Sequence, residues 1–306
     1  AAAGLFREVA RNVPSPLLAC NPVLQSLVQP VANSVYWPAF TLPAGITVCA
    51  GEVAGVRGEW ILPQGSVPHG QCKRLLVWAH GGGFVFCSSG THRRFLAQIA
   101  ALSGVPIFCL DYRKPPLFPF PAPGDDVLGA FGALRKEGIA EKLFLGGDSA
   151  GGNLALAATQ AMAQRGIEGC PEGLVLLSPW VDLSENSAES WQSFARQDFI
   201  PPVQAKVIAS VYAGGIPLDD VRLSPGLCRS FRPFPPVLLD YGGCEVFRSQ
   251  IERLAGVMTE EGVELQSQVE EGMLHVFPFF DFLWSSSKRG PFKAYFERVA
   301  SFLSRG

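Results

Sequence analysis

The chain has 306 residues, with 25 Lys plus Arg against 27 Asp plus Glu and a net charge of -2, so no basic excess exists to hold a nucleic acid. Charged residues are 17% and hydrophobic ones 48%, which supplies a large core and excludes a disordered chain. No run reaches the roughly 18 apolar residues of a membrane helix, and the apolar stretch from Val13 to Trp37 is broken by Pro14, Pro16, Pro22 and Pro30.

Residues 1–45 read as helical fragments and loops. Ile46–Val53 and Val56–Leu62 read as two strands joined by a tight turn at Ala54-Gly55, an antiparallel edge. Strands and helices then alternate. Leu75–Ala79 is a strand, Thr91–Leu102 a helix, Val105–Tyr112 a strand and Asp125–Leu134 a helix. Lys142–Leu145 is a strand, followed by an Ala-rich helix over Ala150–Arg165 that Gly166 closes. Leu174–Leu177 and Val237–Tyr241 are strands, Arg248–Glu261 a helix, Glu264–Val269 a strand, and Pro291–Ser304 a helix opened by proline. Continuous apolar strands alternating with helices mean an α/β fold with a mostly parallel sheet covered on both faces. Residues 185–215 interrupt the alternation with Trp191, Phe194, Phe199, Pro201-Pro202 and Tyr212. With residues 1–45 they are expected to form a cap over one end of a catalytic domain spanning 46–306.

The eight Cys fall at 20, 49, 72, 87, 109, 170, 228 and 244 with no C-x-x-C pair, which argues against a zinc ribbon or a dithiol redox site. A reduced, cytoplasmic protein is expected. The chain starts at Ala1 rather than Met, which leaves a removed leader or anchor open.

The sharpest motif is Gly147-Asp148-Ser149-Ala150-Gly151, between a predicted strand and a predicted helix. That is the context of a nucleophile elbow, a turn so tight that only glycine fits two residues either side of the serine. A second motif, His80-Gly81-Gly82-Gly83-Phe84, ends the strand 75–79. Consecutive glycines can point adjacent N–H groups at one oxygen, and no Gly-Lys-Ser/Thr follows to make the loop a phosphate cradle. Gly82, Gly83 and Ala150 are the expected oxyanion donors. A nucleophilic serine needs a base, and one histidine, His275, follows Ser149 in the chain. The acid should lie between them at a strand end. Asp240 and Glu245 both qualify, and Asp182 comes early in the chain for that place.

Together these residues resemble the hormone-sensitive-lipase branch of the α/β-hydrolases, over roughly residues 45–305. His80–Phe84 is similar to that branch's HGGGF, and Gly147–Asn153 to its GDSAGGN. Asp111-Tyr112-Arg113 through Phe118-Pro119-Phe120-Pro121-Ala122 resembles its DYRLAPEHPFPA segment, and Ser178–Leu183 its SPW-D-L segment. Glu245-Val246-Phe247-Arg248-Ser249 occupies the place of the acid-bearing D-P-L-x-D, as in acetyl-hydrolase-like members with E-V-L. Leu117 and Phe118 depart from the family's Glu and His.

The resemblance implies an α/β-hydrolase fold with a helical cap and a Ser149–His275–Glu245 triad hydrolysing short-acyl esters. Phe84, Trp180, Phe194 and Phe277 are its candidate substrate contacts. It implies no metal or organic cofactor and a small-molecule ester as partner, while the charge balance leaves no place for nucleic acid and no transmembrane segment is expected in this chain. A homodimer is compatible with it. Two non-hydrolytic readings of the same fold stay open: a small-molecule receptor, disfavoured by the presence of His275, and a lyase or cyclase.

Overall fold

The computed structural model describes residues 41–166, 169–185, 189–283 and 290–305. Among them, eight strands make one sheet: β1 Ile46–Val53, β2 Val56–Pro63, β3 Cys72–Ala79, β4 Ile107–Leu110, β5 Ala140–Asp148, β6 Leu174–Leu177, β7 Val237–Gly242 and β8 Leu265–Glu270. Their order is β1-β2-β4-β3-β5-β6-β7-β8. The β1–β2 hairpin turns on Ala54 and Gly55 at φ 50° and 80°, the left-handed pair that a two-residue turn between twisted strands requires. It adds to β4 antiparallel, and all later pairs are parallel.

The inner parallel strands β4 and β6 are apolar and buried throughout because both faces are covered, and side-chain alternation divides the core into two layers. On β3, Leu75, Val77 and Ala79 face the layer holding Phe131, Leu154 and Leu254. Leu76 and Trp78 face the layer of Phe95, Ile99, Tyr295 and Val299. The first layer is closed by helices α2 Ala122–Glu137, α3 Ser149–Ala163 and α6 Arg248–Glu260. The second is closed by α1 Ser89–Ser103 and α7 Gly290–Leu303.

Several boundaries differ from the sequence reading, three of them with a plain physical reason. The strand expected over Val105–Tyr112 pairs only from Ile107 to Leu110, because Pro106 has no N–H to give the ladder. The strand expected over Lys142–Leu145 runs on to Asp148, with Gly146 and Gly147 paired to Trp78 and Ala79. Those glycines have poor strand propensity, but a Cβ on Gly146 would lie 2.7 Å from the Trp78 ring, so packing overrides propensity there. The second core helix starts at Ala122 rather than Asp125, with Pro123 in its first turn.

Two shorter helices, α4 Glu189–Phe194 and α5 Pro202–Ala213, occupy the interrupting segment. Most of the N-terminal segment assigned to the cap, residues 1–40, lies outside the described residues, as do 186–188. No helix among the described residues is long and apolar enough to cross a membrane.

The sheet switches direction between β3 and β5, since β4 lies on one side of β3 and β5 on the other. Ligand clefts of open α/β sheets form at the carboxyl ends of the strands at such a point. The pairing of Ala79 with Gly147 places the glycine loop after β3 beside the turn after β5.

Candidate active site

Ser149 sits where β5 passes directly into α3, with φ at 52°. A left-handed serine costs about 1–2 kcal/mol and persists only when its surroundings hold it. Here they do. A Cβ on Gly151 would lie 2.0 Å from the Ala79 carbonyl oxygen, and one on Gly147 2.4 Å from the Gly151 carbonyl carbon. Glycine at both places lets the backbones pack this closely and thrusts the serine out at the strand end.

His275 lies in the loop after β8. Its Nε2 is 2.9 Å from Ser149 Oγ, although the two are 126 residues apart. Its Nδ1 faces Glu245 Oε1 at 3.6 Å, a separation that a protonated imidazole can close, since such contacts are often long in unliganded sites. The other Glu245 oxygen accepts from the Ser178 hydroxyl at 2.6 Å and from the Gly242 N–H at 2.9 Å. Ser178 also accepts from the Val276 N–H at 3.1 Å. One hydroxyl at the end of β6 therefore ties the carboxylate to the loop that carries the histidine. Ser178 and Val276 both have left-handed φ, 47° and 46°.

Of the two acids that qualify by position, the one the resemblance implies, Glu245, lies beside His275. Asp240 is also fully buried, but it accepts from Arg298 Nε at 2.8 Å on α7. Burial pushes its carboxyl up to about 7 even against the pull of that guanidinium. Asp182 binds the Ser184 N–H and hydroxyl instead. For His275, burial alone would disfavour the imidazolium. The Glu245 carboxylate, with Asp198 and Asp148 behind it, more than offsets this and lifts the imidazole above its ordinary value.

The glycine loop is clamped from below. Asp148 Oδ1 accepts from the Gly81 N–H at 3.1 Å and from the Trp78 indole at 3.0 Å, and lies 3.0 Å from His92 Nε2. A Cβ on Gly82, at φ 105°, would fall 2.6 Å from the Phe86 carbonyl oxygen, so no other residue fits that bend. Among the described residues the N–H groups of Gly82 and Gly83 have no acceptor. Ala150 lies in the first turn of α3, where N–H groups have no intrahelical partner. Among the described residues, these three backbone donors are thus left without a protein acceptor. His80 itself is fully buried with Nδ1 2.7 Å from the Gly81 carbonyl oxygen, and burial with Lys114 and His92 nearby keeps it neutral.

The aromatic candidates divide. Phe84 stacks on Tyr212 of α5 at 3.8 Å and approaches Trp180 at 5.8 Å. The Trp180 N–H is bonded to the Ser149 carbonyl oxygen, which holds this cluster against the nucleophile. Phe194 is half-buried against the same core layer. Phe277 is not part of this group. It packs on Phe292 and Tyr295 in the opposite layer, two residues past His275. Two rings singled out for no substrate contact approach His275 instead: Phe247 edge-on at 5.0 Å and Phe199 at 5.7 Å. Ser178 and Asp148 were legible as parts of motifs but not as tethers, because their partners come from distant strands. Among the described residues no group of three or more His, Cys, Asp or Glu converges as metal ligands.

A family model described as alpha/beta hydrolase fold matches residues 76–279, about two thirds of the chain. An acetyl-hydrolase of Streptomyces hygroscopicus is 29% identical over 240 residues, 78% of this chain and 77% of its own length. An esterase of Acinetobacter venetianus is 30% identical over 241 residues, again 78% and 77%. The crystal structure of an esterase from the bacterial hormone-sensitive lipase family superposes with a TM-score of 0.84 at 30% identity, covering 98% of this chain and 95% of that one. The chain belongs to the α/β-hydrolase fold family, among its hormone-sensitive-lipase-like members.

Proposed function

We propose that this carboxylic-ester hydrolase takes short-acyl, acetyl-like esters and works through Ser149, His275 and Glu245. The observation that carries the reading is the 2.9 Å contact of His275 Nε2 with Ser149 Oγ beside three unsatisfied backbone donors. His275 accepts the hydroxyl proton as Ser149 Oγ bonds to the ester carbonyl carbon. The carbonyl electron pair moves onto oxygen and is received by the N–H groups of Gly82, Gly83 and Ala150, each worth about 10²–10³ in rate. Collapse breaks the bond to the alcohol oxygen, which leaves with the proton from His275. Water then gives His275 a proton as it attacks the acyl carbon, and on collapse the Ser149 Oγ–acyl bond breaks, His275 returns that proton to Ser149 Oγ and the acid is released. Glu245 holds the imidazole in one tautomer and stabilises its cation throughout.

Residues 46–306 act as the catalytic domain, with 185–215 and 1–45 as its cap. The cap reading is supported by Tyr212 stacked on Phe84 and by Ile208, which would lie 3.1 Å from a Cβ on Gly83. A side chain this close to the oxyanion loop leaves little depth for a long acyl chain, and the acetyl-hydrolase among the relatives points the same way.

Initial rates on p-nitrophenyl esters from acetyl to dodecanoyl test the reading, with Ser149→Ala alongside. We expect fastest cleavage of the acetyl and butyryl esters, and a loss of about 10⁴-fold or more in the variant. Equal rates in both proteins would remove Ser149 from the chemistry. A maximum at the dodecanoyl ester would overturn the short-acyl assignment.

A further inference from the structure

We propose that Asp198, carried by the segment between α4 and α5, is a positioning residue for the catalytic pair: it fixes the peptide that follows Glu245 and supplies a second negative charge to His275. The inference rests on the Ser149–His275–Glu245 reading above.

The geometry is specific. Asp198 Oδ2 accepts the Val246 N–H at 2.9 Å, and its Oδ1 accepts the N–H of Phe199 at 2.8 Å. Ser190 of α4 donates its hydroxyl to the Val246 carbonyl oxygen at 2.7 Å. Both polar groups of the residue next to Glu245 are thus held by side chains of the interrupting segment. Ser190 and Ser249 exchange further bonds at 3.2 and 3.3 Å, extending the clamp to the start of α6. Asp198 is 2% exposed, and an ionised carboxylate is removed from water at high cost unless something repays it.

Two backbone N–H groups give part of that compensation. The rest comes from the imidazolium that forms on His275 during turnover. Burial pushes the Asp198 carboxyl up to about 6, His275 and the Val246 N–H draw it back down, and the Glu245 carboxylate raises it. The Glu245 carboxylate, 3.6 Å from Nδ1, does most to favour the imidazolium, and the charges of Asp198 and Asp148 add to it. Asp198 thus acts on the pair twice, through the Val246 peptide and through its charge. The consequence is a cap that contributes to the base as well as to the pocket wall.

The experiment is the pH profile of kcat/KM on p-nitrophenyl acetate for the whole chain and for Asp198→Asn, Asp198→Ser and Ser190→Ala, each checked for folding by its thermal unfolding. Both neutral Asp198 variants should lower kcat about tenfold or more, leave KM within about twofold, and move the acid limb down by roughly half a pH unit, because His275 loses a neighbouring negative charge. Ser190→Ala loosens the same peptide without changing charge and should leave the acid limb in place. An acid limb that does not move in a folded Asp198 variant overturns the proposal, as does an equal shift in Ser190→Ala. Should neither Asp198 variant fold, the ¹³C resonances of aspartate-labelled protein decide: a carboxyl ionised with His275's titration supports it, and one that stays neutral at pH 7.5 overturns it. A parent chain that cleaves no ester would instead defeat the esterase reading, which the parent's own rates reveal separately.

Discussion

The elbow with its glycine loop and the acid with its base loop are built in opposite ways. At the elbow, neighbouring strands β3 and β5 approach so closely that glycine is obligatory at 147 and 151. Backbone contact alone holds Ser149 in its left-handed turn. At the acid, the turn after β7 also presses on the base loop, a Cβ on Gly242 falling 2.5 Å from the Leu274 carbonyl oxygen, but that contact fixes the turn and not the carboxylate. Glu245 and His275 leave separate strands and meet through side chains, chiefly the Ser178 hydroxyl that touches both the carboxylate and the Val276 N–H. The first region writes its geometry into a short stretch of chain. The second distributes it over residues 178, 198, 245 and 275, and its precision rests on hydrogen bonds that single substitutions can remove.

The largest effect that separates the regions is expected at the acid itself. Glu245→Gln keeps the length and an acceptor for the Ser178 hydroxyl but loses the charge facing His275. We expect kcat to fall by about 10²–10⁴. Removing that carboxylate removes the chief force raising the imidazole, so the acid limb of kcat/KM should move to lower pH from a parent limb expected above the ordinary histidine value of about 6.5. Asp240→Asn is the matched control one strand-end away. It should leave kcat/KM within about twofold and lower Tm by a few degrees, since Arg298 loses a buried counter-ion. An Asp240 variant that loses activity while Glu245→Gln keeps it would reverse the assignment of the acid.

The same contrast explains what the sequence could disclose. Strands such as Leu174–Leu177 and Ile46–Val53 announce themselves by apolar runs and turn residues, because burial on both faces and a two-residue turn are local demands. Ser149 is legible because its turn needs two glycines at fixed spacing. His275 is legible by elimination, with one histidine after the serine. Position favours Glu245 over Asp240 without a partner to decide it, because both lie near the end of β7; the fold sends Asp240 to Arg298 of α7 and brings Glu245, beyond the turn, to His275. Phe277 shows the same limit, since two residues of chain separate a ring in the lower core from the base. Asp198 leaves no local trace. An aspartate in an irregular segment reads as solvated until the fold places Val246 against it.

A smaller effect tests the shared tether. Ser178→Ala removes the hydroxyl that holds Glu245 and the Val276 N–H. We expect kcat to fall about ten- to thirtyfold with KM little changed, as the acid and the base loop lose their common partner. Ser178→Gly removes the same hydroxyl but also relieves the φ of 47°. The two variants should share one kcat, with the glycine form no less stable than the alanine form in thermal unfolding. Full activity in both would make the hydroxyl a packing detail and return the positioning of Glu245 to the Gly242 N–H.

The smallest effect belongs at the crowded region, because contact between backbones there backs up each hydrogen bond. Asp148 Oδ1 takes the Gly81 N–H and the Trp78 indole on one oxygen. Asp148→Asn keeps an oxygen for both but weakens them, since bonds to an ionised acceptor are roughly twice as strong as neutral ones. The Gly82 bend stays confined by the Phe86 carbonyl, so the two oxyanion donors should drift rather than be lost. We expect a loss in kcat of about three- to tenfold, with KM unchanged, because donors aimed at a developing oxyanion act on the transition state and not on the bound ester. A drop in Tm with kcat intact would show that the loop is held by its packing alone. A loss as large as that of Glu245→Gln would mean that the elbow, too, depends on a single side chain, and the contrast between the two regions would fail.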